Sequence, residues 1–200
     1  MTQIIVAFLT GIAGPILLIL VKNYLDKKKK PDLLIDAVEH SKLISDKIEE
    51  LKEEIEVDRI WVAQFHNGGH FYPTGKSIAK FSIFYETVQV GVSSIQSNFQ
   101  NIPVNLFSKA INELLENDII EIPDFKDPST PTFGLKYIAE DTGCKSGYLF
   151  AIKSIDGKYI GILGLDFTKK PVNLSDDTIN HLSKQAFALG GALMAHLQSN

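Results

Sequence analysis

Two apolar runs flanking an Asp-Gly pair constrain this chain more than any other feature: Tyr148 to Ile152, then Tyr159 to Leu165, with Asp156-Gly157 between them. An Asp-Gly pair between β-rich runs marks a hairpin. Tyr148, Phe150 and Ile152 alternate with Leu149 and Ala151, and Leu163 and Leu165 alternate with Ile160 and Ile162. A sheet with one wet face alternates apolar with polar, so this hairpin is expected to be covered on both sides. The expected class is α+β, a central antiparallel sheet with helices on both faces.

A chain of 200 residues holds one ordinary domain and an appendage. Its net charge of −4 is unevenly spread. Lys22 and Lys27 to Lys30, less Asp26, give the first thirty residues about +4, leaving about −8 on the rest. An acidic globular part argues against nucleic acid, whose binders need a basic face to displace counterions. The single cysteine, Cys144, excludes an intramolecular disulfide and any site built from several cysteines.

Ile4 to Val21 carries no charge and is interrupted only by Thr10, Gly11, Gly14 and Pro15. That length approaches what a helix needs to span a bilayer core. A signal peptide would have a basic start and a small-residue cleavage site, and the chain offers neither. A buried helix fits poorly just before Lys27 to Lys30, so residues 4–21 read as a membrane anchor, with Pro15 placed to kink it. The lysines follow the span directly and put the C-terminal part in the cytoplasm and the N-terminus outside, a single pass through the inner or plasma membrane. Residues 1–30 are thus the expected anchor and basic linker.

Residues 31–58 read as an amphipathic helix. Leu34, Ala37, Ser41, Ile44, Ile48, Leu51 and Ile55 alternate in steps of three and four. Such a seam fits either a short coiled coil or a helix packed on its own domain. Both hold if the first turns pair between chains and the last pack onto the sheet. A homodimer through Ile44, Ile48, Leu51 and Ile55 is the expectation.

Asp58 to Phe65 and Ala79 to Val90 read as strands, rich in β-branched and aromatic residues. Residues 97–104 read as a loop, Asn105 to Glu116 as a helix, Ile119 to Ile122 as a short strand and Phe133 to Asp141 as a short helix. The final helix opens at Asn173 with Ser175 as its N-cap, and its apolar stripe is Ile179, Leu182, Ala186, Leu189 and Leu193. Gly190-Gly191 within it lets another backbone come close.

Gly147-Tyr-Leu-Phe-Ala-Ile152, the Asp156-Gly157 turn, Tyr159 to Leu165 and the closing helix from Leu174 to Leu193 resemble the GAF family of small-ligand sensory domains. The resemblance covers about Leu34 to Leu197, with residues 59–200 as the domain proper and the helix from residue 31 contributing to it. It implies a sheet of about six antiparallel strands with the terminal helices on one face. Ligand would lie on the other face, under loops and short helices, and dimers through the terminal helices would be common. Phe65-His-Asn-Gly68 with the Lys80-Phe-Ser82 and Tyr85-Glu86 segments is also similar to phage and bacterial GAF-like proteins.

His66 to Ser77 is the least ordinary stretch. Gly75-Lys76-Ser77 ends like a phosphate-binding loop, but that motif needs glycine where His70 stands, and a helix must follow rather than a strand. His66 and His70 suggest a metal only on a helix, which Gly68-Gly69 opposes; Glu86, Asp124 and His181 are not fixed nearby, so no metal site is expected. Cys144 has no positioned base, so no catalytic residue is expected either. The remaining reading is geometric: His66, Asn67, Gly68 and Gly69 form a loop folded over the sheet end, with His66 and Asn67 at the mouth of a pocket. Phe71, Tyr72, Phe81, Phe84 and Tyr85 would wall it, and Lys76 and Lys80 would meet an anionic group. The same residues also fit a rigid cap with His66 hydrogen-bonded inside.

The expected function is a membrane-anchored, dimeric sensory module that binds a small ligand of unknown identity and catalyses no reaction. The alternative is a recruitment protein that binds a protein partner at the membrane without ligand.

Overall fold

The computed structural model describes residues 14–28, 33–70 and 73–198. The chain divides into two compact units, residues 1–39 and residues 40–200. In the first, helix α1 covers Gly14–Lys28. Pro15 is the second described residue of this helix. Residues 4–13 of the expected anchor lie outside the described residues. No helix among the described residues is long and apolar enough to cross a membrane. Helix α2, Leu33–Ile55, begins in this unit and ends in the second.

The second unit is built on a six-stranded sheet in the order β3-β2-β1-β6-β5-β4. The strands are β1 Arg59–His70, β2 Ser77–Val88, β3 Ile102–Pro103, β4 Ile119–Ile122, β5 Ser146–Lys153 and β6 Tyr159–Phe167. Every neighbouring pair is antiparallel. The β5–β6 hairpin has the expected place, with Gly157 N–H donating to Ser154 O in the turn. Strands β1 and β6, distant in sequence, meet at the centre with Arg59 opposite Asp166 and Trp61 opposite Gly164.

Both faces of the sheet are covered, as the apolar runs require. On one face Ile60, Val62, Tyr148, Phe150, Ile152, Leu163 and Leu165 pack under α2 and under helix α5, Asp176–Gln198. On the other, Ala63, Phe81, Ile83, Ile122 and Ile162 pack under helix α3, Ser108–Asn117, and helix α4, Lys136–Thr142. Ser175 caps α5, its hydroxyl accepting from Thr178 N at 3.2 Å. Gly190 touches the sheet: a Cβ there would lie 2.0 Å from Lys153 O, so only glycine lets α5 seat on β5.

Ile44, Ile48 and Leu51 are 1%, 1% and 0% exposed within this core, and Ile55 packs against it. The stripe expected to pair two chains is therefore spent on the domain's own sheet, about 1.5–3 kcal/mol for each fully buried side chain. The second compact unit begins inside α2, at residue 40, so the end of this helix contributes to it.

Other boundaries also move. Residues 102 and 103 form an edge strand, and a 3-10 turn over Val104–Phe107 precedes α3. Helix α4 starts at Lys136, because Phe133 and Gly134 take φ of 50° and 83°, which no α-helix tolerates. The largest change is at His66 to His70. Residues 66–70 do not form a loop over the sheet end; β1 runs on through His70, with His66 opposite Lys80 and Asn67 opposite Ala79. The glycine pair is accommodated by an irregularity between Asn67 and His70, where Gly69 adopts φ 86°.

Candidate ligand cavity

On the face under α3 and α4 the core is not filled. A cavity of about 90 Å³ lies between Trp61, Phe81, Ile83, Leu149 and Ile162 of the sheet, Ala110 and Ile111 of α3, and Ile138 and Ala139 of α4. Ile95 and Phe99 close it from the loop that follows β2, and Phe107 and Phe125 close it from the chain on either side of α3 and β4. Nearly all of this wall is carbon. The exceptions are the Trp61 indole nitrogen, Thr142, Cys144 and Asp166.

Asp166 is the one charged side chain on the wall, and register explains its position. Alternation along β6 sends Leu163, Leu165 and Phe167 to the α2/α5 face and leaves Ile162, Gly164 and Asp166 on the cavity face. Alternation along β1 puts Arg59, Trp61 and Ala63 on that same face. Arg59 Nε donates to Asp166 Oδ2 at 2.7 Å, and Trp61 Nε1 donates to the same oxygen at 3.1 Å. The guanidinium is 0% exposed, and a buried charge of this kind demands a partner. Trp61 can lie flat because Gly164 stands opposite: a Cβ there would sit 2.1 Å from the indole ring.

Cys144 completes the cluster. Its Sγ is 3.0 Å from Ser146 O and 3.6 Å from Asp166 Oδ1. Burial pushes its pKa far above that of an ordinary thiol, and the neighbouring Asp166 carboxylate adds to the rise. The group is a protonated thiol, unsuited to nucleophilic work.

The loop of residues 89–101 is held over the cavity by several anchors. Arg59 Nη1 donates to Ser93 O at 3.0 Å. The Glu86 carboxylate accepts from Ile95 N at 2.8 Å and from Gln96 N at 3.1 Å. Gln100 Nε2 donates to Ile83 O at 2.7 Å, and Asn101 N donates to Ser82 Oγ at 2.8 Å. The same arginine thus bonds to the acid of the cavity and to the loop that closes it.

Among the described residues, none of the expected loop residues, Lys76, Lys80 or Tyr85 lines this cavity. His66 is half-buried, with Nε2 2.9 Å from Ser82 Oγ and its ring edge-on to Phe84 at 6.3 Å; the same hydroxyl on β2 accepts from Asn101 N. Asn67, Gly69 and Lys76 are exposed, and Gly68 lies against the aliphatic stem of Lys80. Tyr85 packs against the opposite core, under α2 and α5. Tyr72 and Phe71 lie outside the described residues. Of the expected aromatic walls that are described, Phe81 alone is found on the cavity. His66 and His70 join no group of three or more metal-ligating side chains among the described residues. The residues that sequence reasoning missed, Arg59 and Asp166, did leave a signal. Arg59 is the only arginine of the chain, and Asp166 is the one charge in a strand apolar on both faces.

No family model matches the sequence, and no curated protein does. Solved structures do match. The phycoerythrobilin-bound GAF domain from a cyanobacterial phytochrome superposes with a TM-score of 0.64 at 16% identity, over 80% of this chain and 89% of that one. GAF3 from Slr1393 of Synechocystis sp. PCC6803, in its photoproduct state, gives 0.59 at 17% identity over 80% and 99%. The blue-light absorbing form of the PixJ GAF domain of Thermosynechococcus elongatus gives 0.60 at 14% identity over 80% and 87%. Over about four-fifths of its length, this chain has the fold of a GAF domain.

Proposed function

We propose that this chain is a sensory module that holds a small apolar ligand in the cavity between the sheet, α3 and α4, tethered to a membrane by residues 4–21. One observation carries the reading: a carbon-walled space with a single buried carboxylate, the usual composition of a small-molecule site. The phytochrome GAF domain of the same fold is phycoerythrobilin-bound. A space of about 90 Å³ suits a far smaller molecule. The Arg59 link from Asp166 to Ser93 O gives occupancy a route to the closing loop, and Arg59 follows α2 closely in the chain. Pairing of two chains falls to the first half of α2, where Val38 and Leu43 are exposed. No bond chemistry is assigned to the site.

The test compares the full chain with Ala110→Leu, which fills the cavity. Small apolar compounds should raise the melting temperature of the parent protein saturably, because binding to the folded state alone stabilises it by mass action, about 2.7 kcal/mol at a hundredfold excess over Kd. The Ala110→Leu protein should show no such rise. Equal shifts in both proteins would refute the cavity as the site.

A further inference from the structure

We infer that the cavity takes an uncharged, mostly hydrocarbon molecule carrying one O–H group, which donates to Asp166 Oδ1. The inference rests on the cavity being a ligand site, and it adds the chemical class of the ligand. The two oxygens of Asp166 are not equally engaged. Oδ2 accepts from Arg59 Nε at 2.7 Å and from Trp61 Nε1 at 3.1 Å, which fills it. Oδ1 faces only the Cys144 thiol, at 3.6 Å. That thiol has one proton, and Ser146 O lies nearer to it, at 3.0 Å. Among the described residues Oδ1 is therefore left without a strong donor, on a side chain that forms part of the cavity wall. A carboxylate oxygen removed from water is satisfied by an incoming donor and repelled by an incoming acceptor.

Charge and size narrow the class. The Arg59 guanidinium already neutralises Asp166, so an ammonium ligand would leave a net positive charge in a carbon-walled space, and a carboxylate ligand a net negative one. An uncharged hydroxyl avoids both. An apolar cavity of about 150 Å³ receives the six carbons of benzene, so one of about 90 Å³ receives roughly three or four non-hydrogen atoms. The ligand is a short-chain alcohol or a molecule of that size.

Trp61 is the only tryptophan, and its indole N–H points at the same carboxylate. It therefore gives one tryptophan side-chain cross-peak in a nitrogen–proton spectrum of the labelled full chain, a reporter at the site itself. Titration with 2-propanol and with acetone compares one carbon skeleton as donor and as acceptor only. The alcohol should move the peak saturably, with a dissociation constant at least tenfold below that of the ketone. A ketone that binds as tightly as the alcohol would overturn the donor assignment while leaving the cavity as a ligand site. A peak moved by neither would overturn both. The comparison is made on the unaltered protein, so it does not depend on any variant folding.

Discussion

Replacing Asp166 by alanine tests the pairing at the heart of the domain. Arg59 is 0% exposed, and the Asp166 side chain is 12% exposed. With charge centres roughly 4 Å apart and an effective dielectric of about 20, their attraction is on the order of 4 kcal/mol. Removing one partner of such a pair leaves the other charge buried and costs about 3–5 kcal/mol. Trp61 loses its acceptor in the same step, a loss that overlaps with the first. The expected change is thus about 4 kcal/mol out of a total stability of about 5–15. Urea unfolding followed by Trp61 emission and by far-ultraviolet circular dichroism measures it, with an unchanged slope as the sign of an intact two-state transition. Arg59→Met combined with Asp166→Leu removes both charges and should recover most of the loss. A loss below about 1 kcal/mol for Asp166→Ala, or a double variant no more stable than the single one, would refute the reasoning.

Three further outcomes are expected. Gly164→Ala pushes a methyl into the Trp61 ring and should cost about 1–3 kcal/mol, with a shift in Trp61 emission that a purely local backbone effect would not give. Ile48→Ala should lower stability by about 2–5 kcal/mol, with a melting temperature independent of protein concentration, because Ile48 is buried within its own domain and not between chains. Asp58 supplies a pH dependence. Burial raises its pKa, but the Lys169 ammonium and the N–H groups of Thr168 and Lys169 outweigh burial and hold it below the ordinary value. A lowered folded pKa means stability that is full above the unfolded value of about 3.9 and is lost as pH falls through the folded one. Melting temperatures taken from pH 6 down to pH 3 should fall less steeply for Asp58→Asn than for the parent protein.

What could be read from sequence was what short-range pattern dictates. The β5–β6 hairpin, its two covered faces, the α5 stripe with its Ser175 cap and the close approach at Gly190 all depend on residues near one another in the chain. The cavity depends on register between strands that are far apart: Arg59 and Asp166 meet across 107 residues. No local periodicity encodes that meeting. Gly68-Gly69 misled for a related reason. A glycine pair reads as a turn, yet β2 supplies a partner that carries the strand through it, and Gly69 absorbs the irregularity. The α2 seam was ambiguous because a helix facing a sheet and a helix facing its twin need the same stripe. Only burial decides, and Ile44, Ile48 and Leu51 are buried within one chain.

The central claim is that the space beneath α3 and α4 is an apolar site open to a ligand, and xenon tests it most directly, since dry apolar cavities take up the gas. Crystals of the full chain exposed to xenon under pressure should show the atom bounded by Trp61, Phe81, Leu149 and Ile162. Its absence there, with side chains or hydrogen-bonded water occupying the space, would contradict the account.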